Sequence, residues 1–182
     1  GHISPVYYRV LARKGFFPLE ELKTFRKINS RLQGHPATHE GLPGIRIASG
    51  SLGQGMSVAI GAALAKKLNG DSHLIYSLHG DGELQEGSNW EAAMAAAHFG
   101  LDRLVLTIDR NRLQLAAPTE KTMALEPLAD KWRAFVLSVR EVDGHDHAAL
   151  LAAYRDVPFE PGRPSCVIAR THKGHGVSFM SD

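Results

Sequence analysis

The sequence predicts an α/β fold, a parallel β-sheet flanked by helices on both faces. Two observations predict it. From residue 73 to residue 171, short apolar runs alternate with runs of helical pattern, the rhythm of consecutive βαβ units. The chain of 182 residues is also 43% hydrophobic and 22% charged, enough apolar material for one globular domain with a real core.

Each element has its own justification. Residues 5–14 read as a short helix with Val6, Tyr7, Val10 and Leu11 on one face. "PLEELKTFRKI" reads as a second, opened by Pro18, with acids in its first turn and bases in its last. Residues 30–50, rich in glycine and polar side chains, read as a long loop, and a loop of that length in a compact domain is commonly functional. A helix over 54–68 follows, with Ala59, Gly61, Ala62 and Ala63 giving it a small-residue face. "HLIYSLH" is a buried strand. "EGSNWEAAMAAAHFG" is a helix with Trp90, Met94 and Ala97 on one face, stopped by Gly100. "RLVLTID" is a strand, "LEPLADKWRAF" a helix, "VLSVREV" a strand, "DHAALLAAYRDV" a helix capped by Asp146, and "SCVIART" the last strand.

Bulk properties exclude several classes. A net charge of +2 with no Lys/Arg block argues against nucleic acid. No stretch approaches the roughly 18 consecutive apolar residues of a membrane helix, and no secretory signal is expected. The single cysteine, Cys166, lies in an apolar run and reads as a buried reduced thiol. The chain opens Gly-His rather than Met, so residues are expected to precede it.

The chemistry concentrates in "HGDGELQEGSNWEAA" (79–93). A tight turn needs glycine, but it does not need an aspartate between two glycines. Gly80-Asp81-Gly82 ends one strand and Asp109-Arg110-Asn111 ends the next, so Asp81 and Asn111 reach one sheet edge, where open parallel sheets keep their ligands. A carboxylate and an amide carbonyl, joined by phosphate oxygens, suit Mg²⁺ or Ca²⁺. The glycines would let a diphosphate approach the backbone. "SGSLGQG" (49–55), glycine-rich and leading into a helix, is a second candidate anion site.

Gly80-Asp81-Gly82 followed one βαβ unit later by Asn111 resembles the diphosphate-and-metal motif of thiamine-diphosphate enzymes. "GHP" (34–36), "LPGIRIASGSLGQG" (42–55), "GDGELQEGSNWEAAMAAAHFGLD" (80–102) and "PLADKW" (127–132) narrow the resemblance to transketolase, in particular to the separate N-terminal subunit of split bacterial transketolases. The likeness runs over nearly all of the chain. It implies the thiamine-diphosphate-binding fold, with residues 1–182 as the diphosphate-binding domain, cut at both ends.

By that resemblance, Asp81 and Asn111 would be metal ligands through their side chains and Leu113 through its backbone carbonyl, for Mg²⁺, Ca²⁺ or Mn²⁺. Gly80 and Gly82 would face the diphosphate, and Gly50 and Leu52 would touch the cofactor, thiamine diphosphate. His35 would contact the donor sugar, His2 would lie near the diphosphate and the substrate channel, and Glu86 would sit at the subunit interface that links two active sites. The implied reaction moves a two-carbon ketol unit from a ketose or its phosphate to an aldose, as in the pentose phosphate pathway, with histidines moving protons at the sugar hydroxyls. The acid that activates the cofactor belongs to the family's pyrimidine-binding domain, so a C-terminal transketolase subunit is the implied partner. A homodimer or α2β2 assembly in the cytoplasm is implied, with the helix over 54–68 and the helix after Glu86 as candidate interfaces.

The pattern breaks at two places within the chain. Ala116-Ala117 stands where the family usually has Asp-Gly, and His79 precedes GDG where a small or apolar residue is expected. Three other readings compete. The first is a related enzyme of the same cofactor, either deoxyxylulose-phosphate synthase or a transketolase for an unusual sugar or sulfosugar. The second is a non-catalytic assembly subunit, which the intact Asp81, Asn111 and His35 oppose. The third is a metal-dependent phosphohydrolase, which the single placed carboxylate opposes.

Overall fold

The computed structural model describes residues 1–115 and 117–181. They form two compact units, Gly1–Leu52 and Gly53–Asp182.

The first unit is built on α1 (Ser4–Arg13), a 3-10 turn at Leu19–Thr24 and a second at Thr38–Glu40, the rest being loop. Tyr8, Leu11, Ala12, Phe17, Leu32, Leu42 and Ile45 close its small core. Two expectations change here. The buried face of α1 is Ser4, Tyr8, Leu11 and Ala12, while Val6 and Val10 are exposed. The expected helix after Pro18 goes no further than Thr24. Glu21 is drawn into a bidentate pair with Arg31 at 2.9 Å, and the Thr24 hydroxyl bonds the Glu21 carbonyl, so local side-chain bonds replace the helical ladder.

The second unit carries α2 (Gln54–Leu68), β1 (Ile75–Gly80), α3 (Gly87–His98), β2 (Leu104–Arg110), a two-residue hairpin of β3 (Leu113–Gln114) and β4 (Ala117–Pro118), α4 (Thr119–Thr122), α5 (Leu128–Ala134), β5 (Ser138–Asp143), α6 (His147–Arg155) and β6 (Ser165–Arg170). The four long strands form one parallel sheet in the order β1-β2-β6-β5. Leu104, Leu106, Ile108, Cys166 and Ile168 pack with α2, α3 and α5 on one face. On the other, Thr107 bonds Tyr154 of α6 at 2.9 Å, so helices cover both faces as expected. Cys166 is fully buried, and burial pushes its thiol pKa up, which keeps it a protonated core residue. Asp146 caps α6 by accepting from the N–H groups of Ala148 and Ala149.

In α3 the buried residues are Asn89, Ala92, Ala93 and Ala96, and Met94 is exposed, contrary to the expected Trp90–Met94–Ala97 face. The alanines let α3 approach α2 closely, and Trp90 stacks on Trp132 of α5 at 4.7 Å between ring centres. The hairpin and α4 have no sequence counterpart among the expected elements. No helix among the described residues is long and apolar enough to cross a membrane.

Candidate functional site

The turn after β1 explains the aspartate between glycines. Gly80 of β1 pairs with Asp109 of β2, so the two chains leave the sheet side by side. Asp81 is 1% exposed, and its carboxylate is held at both oxygens. Oδ1 accepts the Gly82 N–H at 2.8 Å. Oδ2 accepts the Arg112 N–H at 2.6 Å and the Arg110 guanidinium at 2.9 Å. Asn111, one residue beyond β2, accepts the Leu113 N–H on its Oδ1 at 2.9 Å. Leu113 faces Pro118 across the hairpin, and proline has no N–H to offer the Leu113 carbonyl. The structure therefore brings Asp81, Gly82, Asn111 and Leu113 to the edge where β1 and β2 end.

These groups fit a hard divalent cation. An ionised carboxylate has about four lone-pair positions, and Asp81 uses three. Asn111 Oδ1 carries one bond. Beside them Gln114 Oε1 is buried with no hydrogen-bond partner among the described residues, against Gly82, where a Cβ would come 2.8 Å from Gln114 Cβ. The donors are oxygens, the glycine at 82 makes room for Gln114, and the Gln114 oxygen is an acceptor open to a donor such as metal-bound water.

The turn itself is gripped from α3. Asn89 Nδ2 donates to the Glu83 carbonyl at 2.7 Å and Trp90 Nε1 to the Leu84 carbonyl at 2.9 Å. That is why a helix carrying Trp90 follows the glycines. Glu83, unremarked in the sequence, ties the turn to the start of α2. It accepts the Gly53 N–H at 3.0 Å and the Gly80 N–H at 3.3 Å. His79 lies beneath it, 2% exposed, with Nε2 2.6 Å from Ser77 Oγ. His79 Nδ1 sits 3.3 Å from Glu83 Oε2, an ion-pair distance off the line of a hydrogen bond. The unusual histidine thus occupies a buried slot under the turn. Burial raises the Glu83 pKa, but the His79 contact and the two backbone donors outweigh it and hold the carboxyl below its ordinary range.

A depressed carboxyl pKa contributes stability above the ordinary carboxylate range, and that stability is lost as pH falls through the folded value. Glu83→Gln is expected to cost about 1–3 kcal/mol at neutral pH. Its gap to the parent chain should narrow as pH falls below about 4.5, because the parent's Glu83 then protonates too. Urea midpoints at both pH values check this, and a gap that widens on acidification would reverse the assignment.

Of the other expected site residues, Glu86 is exposed, caps nothing with its side chain, and has its Cβ beside Gly53. In the first unit His2 and His35 meet, ring centres 4.7 Å apart. The GHP segment is pinned from α1, where Ser4 Oγ bonds the Gly34 carbonyl at 2.6 Å and Tyr8 OH the Gln33 carbonyl at 3.0 Å. Gly50 packs close to it, and a Cβ there would stand 3.1 Å from the exposed His35 side chain. Leu52 is 37% exposed. Of the Ala116-Ala117 departure, Ala117 begins β4 and Ala116 lies outside the described residues.

Sequence reasoning passed over Arg110. It is 2% exposed, and besides Asp81 it bonds Thr119 at 2.8 Å, Glu120 at 2.8 Å and Glu126 at 2.9 Å. Burial lowers the Arg110 pKa, but its bonds to Asp81, Glu126 and Glu120 outweigh that, so it stays charged. Its only signal in sequence was a cation at the end of an apolar strand.

Comparison with known proteins agrees with this geometry. Residues 1–181 match the family model described as "Transketolase, thiamine diphosphate binding domain". The chain is 44% identical, over 99% of its length, to one subunit of an apulose-4-phosphate transketolase of Actinobacillus succinogenes, and covers 64% of that relative. It is 41% identical, over 98% of its length, to a 6-deoxy-6-sulfo-D-fructose transketolase subunit SqwG of a Clostridium species, covering 65% of it. The chain thus spans less than two thirds of the length of these relatives. Among solved structures, transketolase from Campylobacter jejuni superposes with a TM-score of 0.83 at 32% identity, over 90% of this chain and 26% of that one. A parallel sheet with its glycine turn at the carboxyl edge, and a match over residues 1–181, place this chain in the transketolase family, in its thiamine diphosphate binding domain.

Proposed function

We infer that this chain is the diphosphate- and metal-binding part of a two-chain transketolase, inactive without a partner subunit that carries the pyrimidine-binding domain. The observation that carries the reading is the oxygen donor set of Asp81, Asn111 and Leu113 at the carboxyl ends of β1 and β2, in a chain whose similar relatives are named as single subunits of transketolases. Asp81 and Asn111 would hold Mg²⁺ through their side chains and Leu113 through its carbonyl, with Gly80 and Gly82 facing the diphosphate. Thiamine diphosphate, when bound, supplies the chemistry of breaking and remaking the bond next to a ketose carbonyl. This chain's residues position, exclude water and handle protons. His35 and His2, whose rings are neighbours, would exchange protons with sugar hydroxyls. Glu86, exposed at the start of α3, would lie at the subunit interface.

The substrate class follows from the relatives' names. One is named for a sugar 4-phosphate and another for a 6-sulfo sugar, so the proposed donor is a ketose with an anionic group away from its carbonyl. The test is calorimetric titration of thiamine diphosphate with Mg²⁺ into the full-length chain plus its partner subunit. A panel of phosphorylated and sulfonated ketoses, assayed for two-carbon transfer to an aldose, follows. Tight binding that needs both chains, and transfer from an anionic ketose, are the expected results. No binding with both chains folded would make the chain an assembly subunit instead.

A further inference from the structure

Arg110 stands between Asp109 and Asn111 at the end of β2, and its guanidinium faces three carboxylates. Nη1 bonds Asp81 Oδ2 and Thr119 Oγ1, and Nη2 bonds Oε1 of both Glu120 and Glu126. The two glutamates are themselves anchored. Glu120 accepts the N–H groups of Leu125 and Glu126, and Glu126 accepts the N–H of Leu128. Through Arg110, then, the carboxylate of Asp81 is tied to a rigid segment running from α4 to the start of α5.

Stability alone is a weak reason for this cluster. A buried ion pair is often no more stable than apolar residues of the same volume. One guanidinium also faces three carboxylates; Glu120 and Glu126 are partly exposed and Arg170 acts on Glu126, whereas Asp81 is buried. The bonds on Asp81 are unequal. Oδ2 is filled by Arg110 and the Arg112 N–H, whereas among the described residues Oδ1 carries only the Gly82 N–H. One lone-pair position is left, on Oδ1.

We propose that Arg110 is a positioning residue for Asp81: it locks Oδ2 so that a cation is offered a single, fixed oxygen, and this biases the site toward Mg²⁺ over Ca²⁺. The reason is geometric. Mg²⁺ demands near-ideal octahedral geometry, while Ca²⁺ accepts flexible and bidentate carboxylates. A carboxylate pinned at one oxygen serves the first ion, and one free to turn serves the second. Outer partners of this kind typically account for 10–100-fold in metal affinity. The inference rests on the metal-binding reading above. In the opposite role, an arginine that merely stands in for the metal would compete with it, and its loss would tighten Mg²⁺ binding.

The experiment is calorimetric titration of Mg²⁺, and separately of Ca²⁺, into the full-length chain together with thiamine diphosphate and its partner subunit. Parent chain, Arg110→Lys and Glu126→Gln are compared. Arg110→Lys keeps the charge but loses the planar fork that reaches Asp81 and both glutamates together. Its Mg²⁺ affinity should fall about 10–100-fold, with a clearly smaller loss for Ca²⁺. Glu126→Gln alters a half-exposed side chain that a folded protein tolerates, and it covers the case in which the lysine variant does not fold. The lost charge acts on both divalent ions alike, so a severalfold drop in the Mg²⁺:Ca²⁺ affinity ratio reports lost positioning. An unchanged ratio, or tighter Mg²⁺ binding in either variant, overturns the proposal. Failure of the parent chain to bind either ion would instead overturn the metal-binding reading itself.

Discussion

Asp81→Ala is expected to abolish metal-dependent binding of thiamine diphosphate and to cost the fold about 3–5 kcal/mol. Both effects have one origin. Asp81 is 1% exposed and accepts three bonds, from Arg110, the Arg112 N–H and the Gly82 N–H. Truncation takes one of three carboxylates from the buried guanidinium, which keeps Glu120 and Glu126, and leaves two backbone donors without their acceptor, and a buried donor left unsatisfied costs about 1–3 kcal/mol. At this chain length each kcal/mol moves the melting temperature by about 2–4 °C, so a drop of roughly 6–20 °C is expected without any metal present. Asp81→Asn separates the two roles. It keeps one acceptor oxygen and the shape, so it should lose less stability than the alanine, yet without the charge it should bind metal poorly. Thermal unfolding of the metal-free proteins checks the first part, and calorimetry with Mg²⁺ and thiamine diphosphate the second. Wild-type affinity in Asp81→Ala would mean that the cation is held elsewhere.

The contrast between Asp81 and Arg110 shows what sequence made legible. Asp81 and Asn111 could be placed together because they share a property that sequence encodes directly. Each follows a short apolar strand, and consecutive parallel strands end at one edge. Arg110 has no such signal. Its partners lie 29, 9, 10 and 16 positions away, in the GDG turn, the one-turn α4 and the loop before α5, so nothing local announces that four side chains converge on one guanidinium. Glu83 was hidden for a related reason, as an acid beside a glycine turn draws no notice until Gly53, 30 residues earlier, is seen to donate to it. Helix faces failed differently. In α1 and α3 the large apolar residues drew the expected face, but the structure buries Ala92, Ala93 and Ala96 while leaving Met94 exposed. Close approach of α3 to α2 favours small side chains, and a size-weighted reading points the other way.

Gly53 carries the second large expectation, because three constraints meet at one backbone position. Its φ is +85°, in the left-handed region where a side chain is strained by roughly 1–2 kcal/mol. A Cβ there would come 2.6 Å from Ser88 Oγ and 2.7 Å from Glu86 Cβ, and forced overpacking costs about 1–3 kcal/mol more. The same residue donates to Glu83 and accepts from Ser88 Oγ at 3.0 Å, so any shift that relieves the clash loosens both the start of α2 and the aspartate turn. Gly53→Ala is therefore expected to lose about 2–5 kcal/mol, and its binding loss should exceed that of a surface glycine replaced elsewhere. Gly15→Ala is the control. Gly15 has φ +83° but nothing within 4 Å of a Cβ, so it isolates the backbone penalty from the packing one. If urea midpoints put both variants at the same cost, the junction between α2 and the GDG turn is looser than its contacts indicate, and Glu83 does not couple them. If Gly53→Ala costs clearly more and also weakens thiamine diphosphate binding, the glycine at residue 53 is where the fold of α2 and the geometry of the Asp81 turn are fixed together.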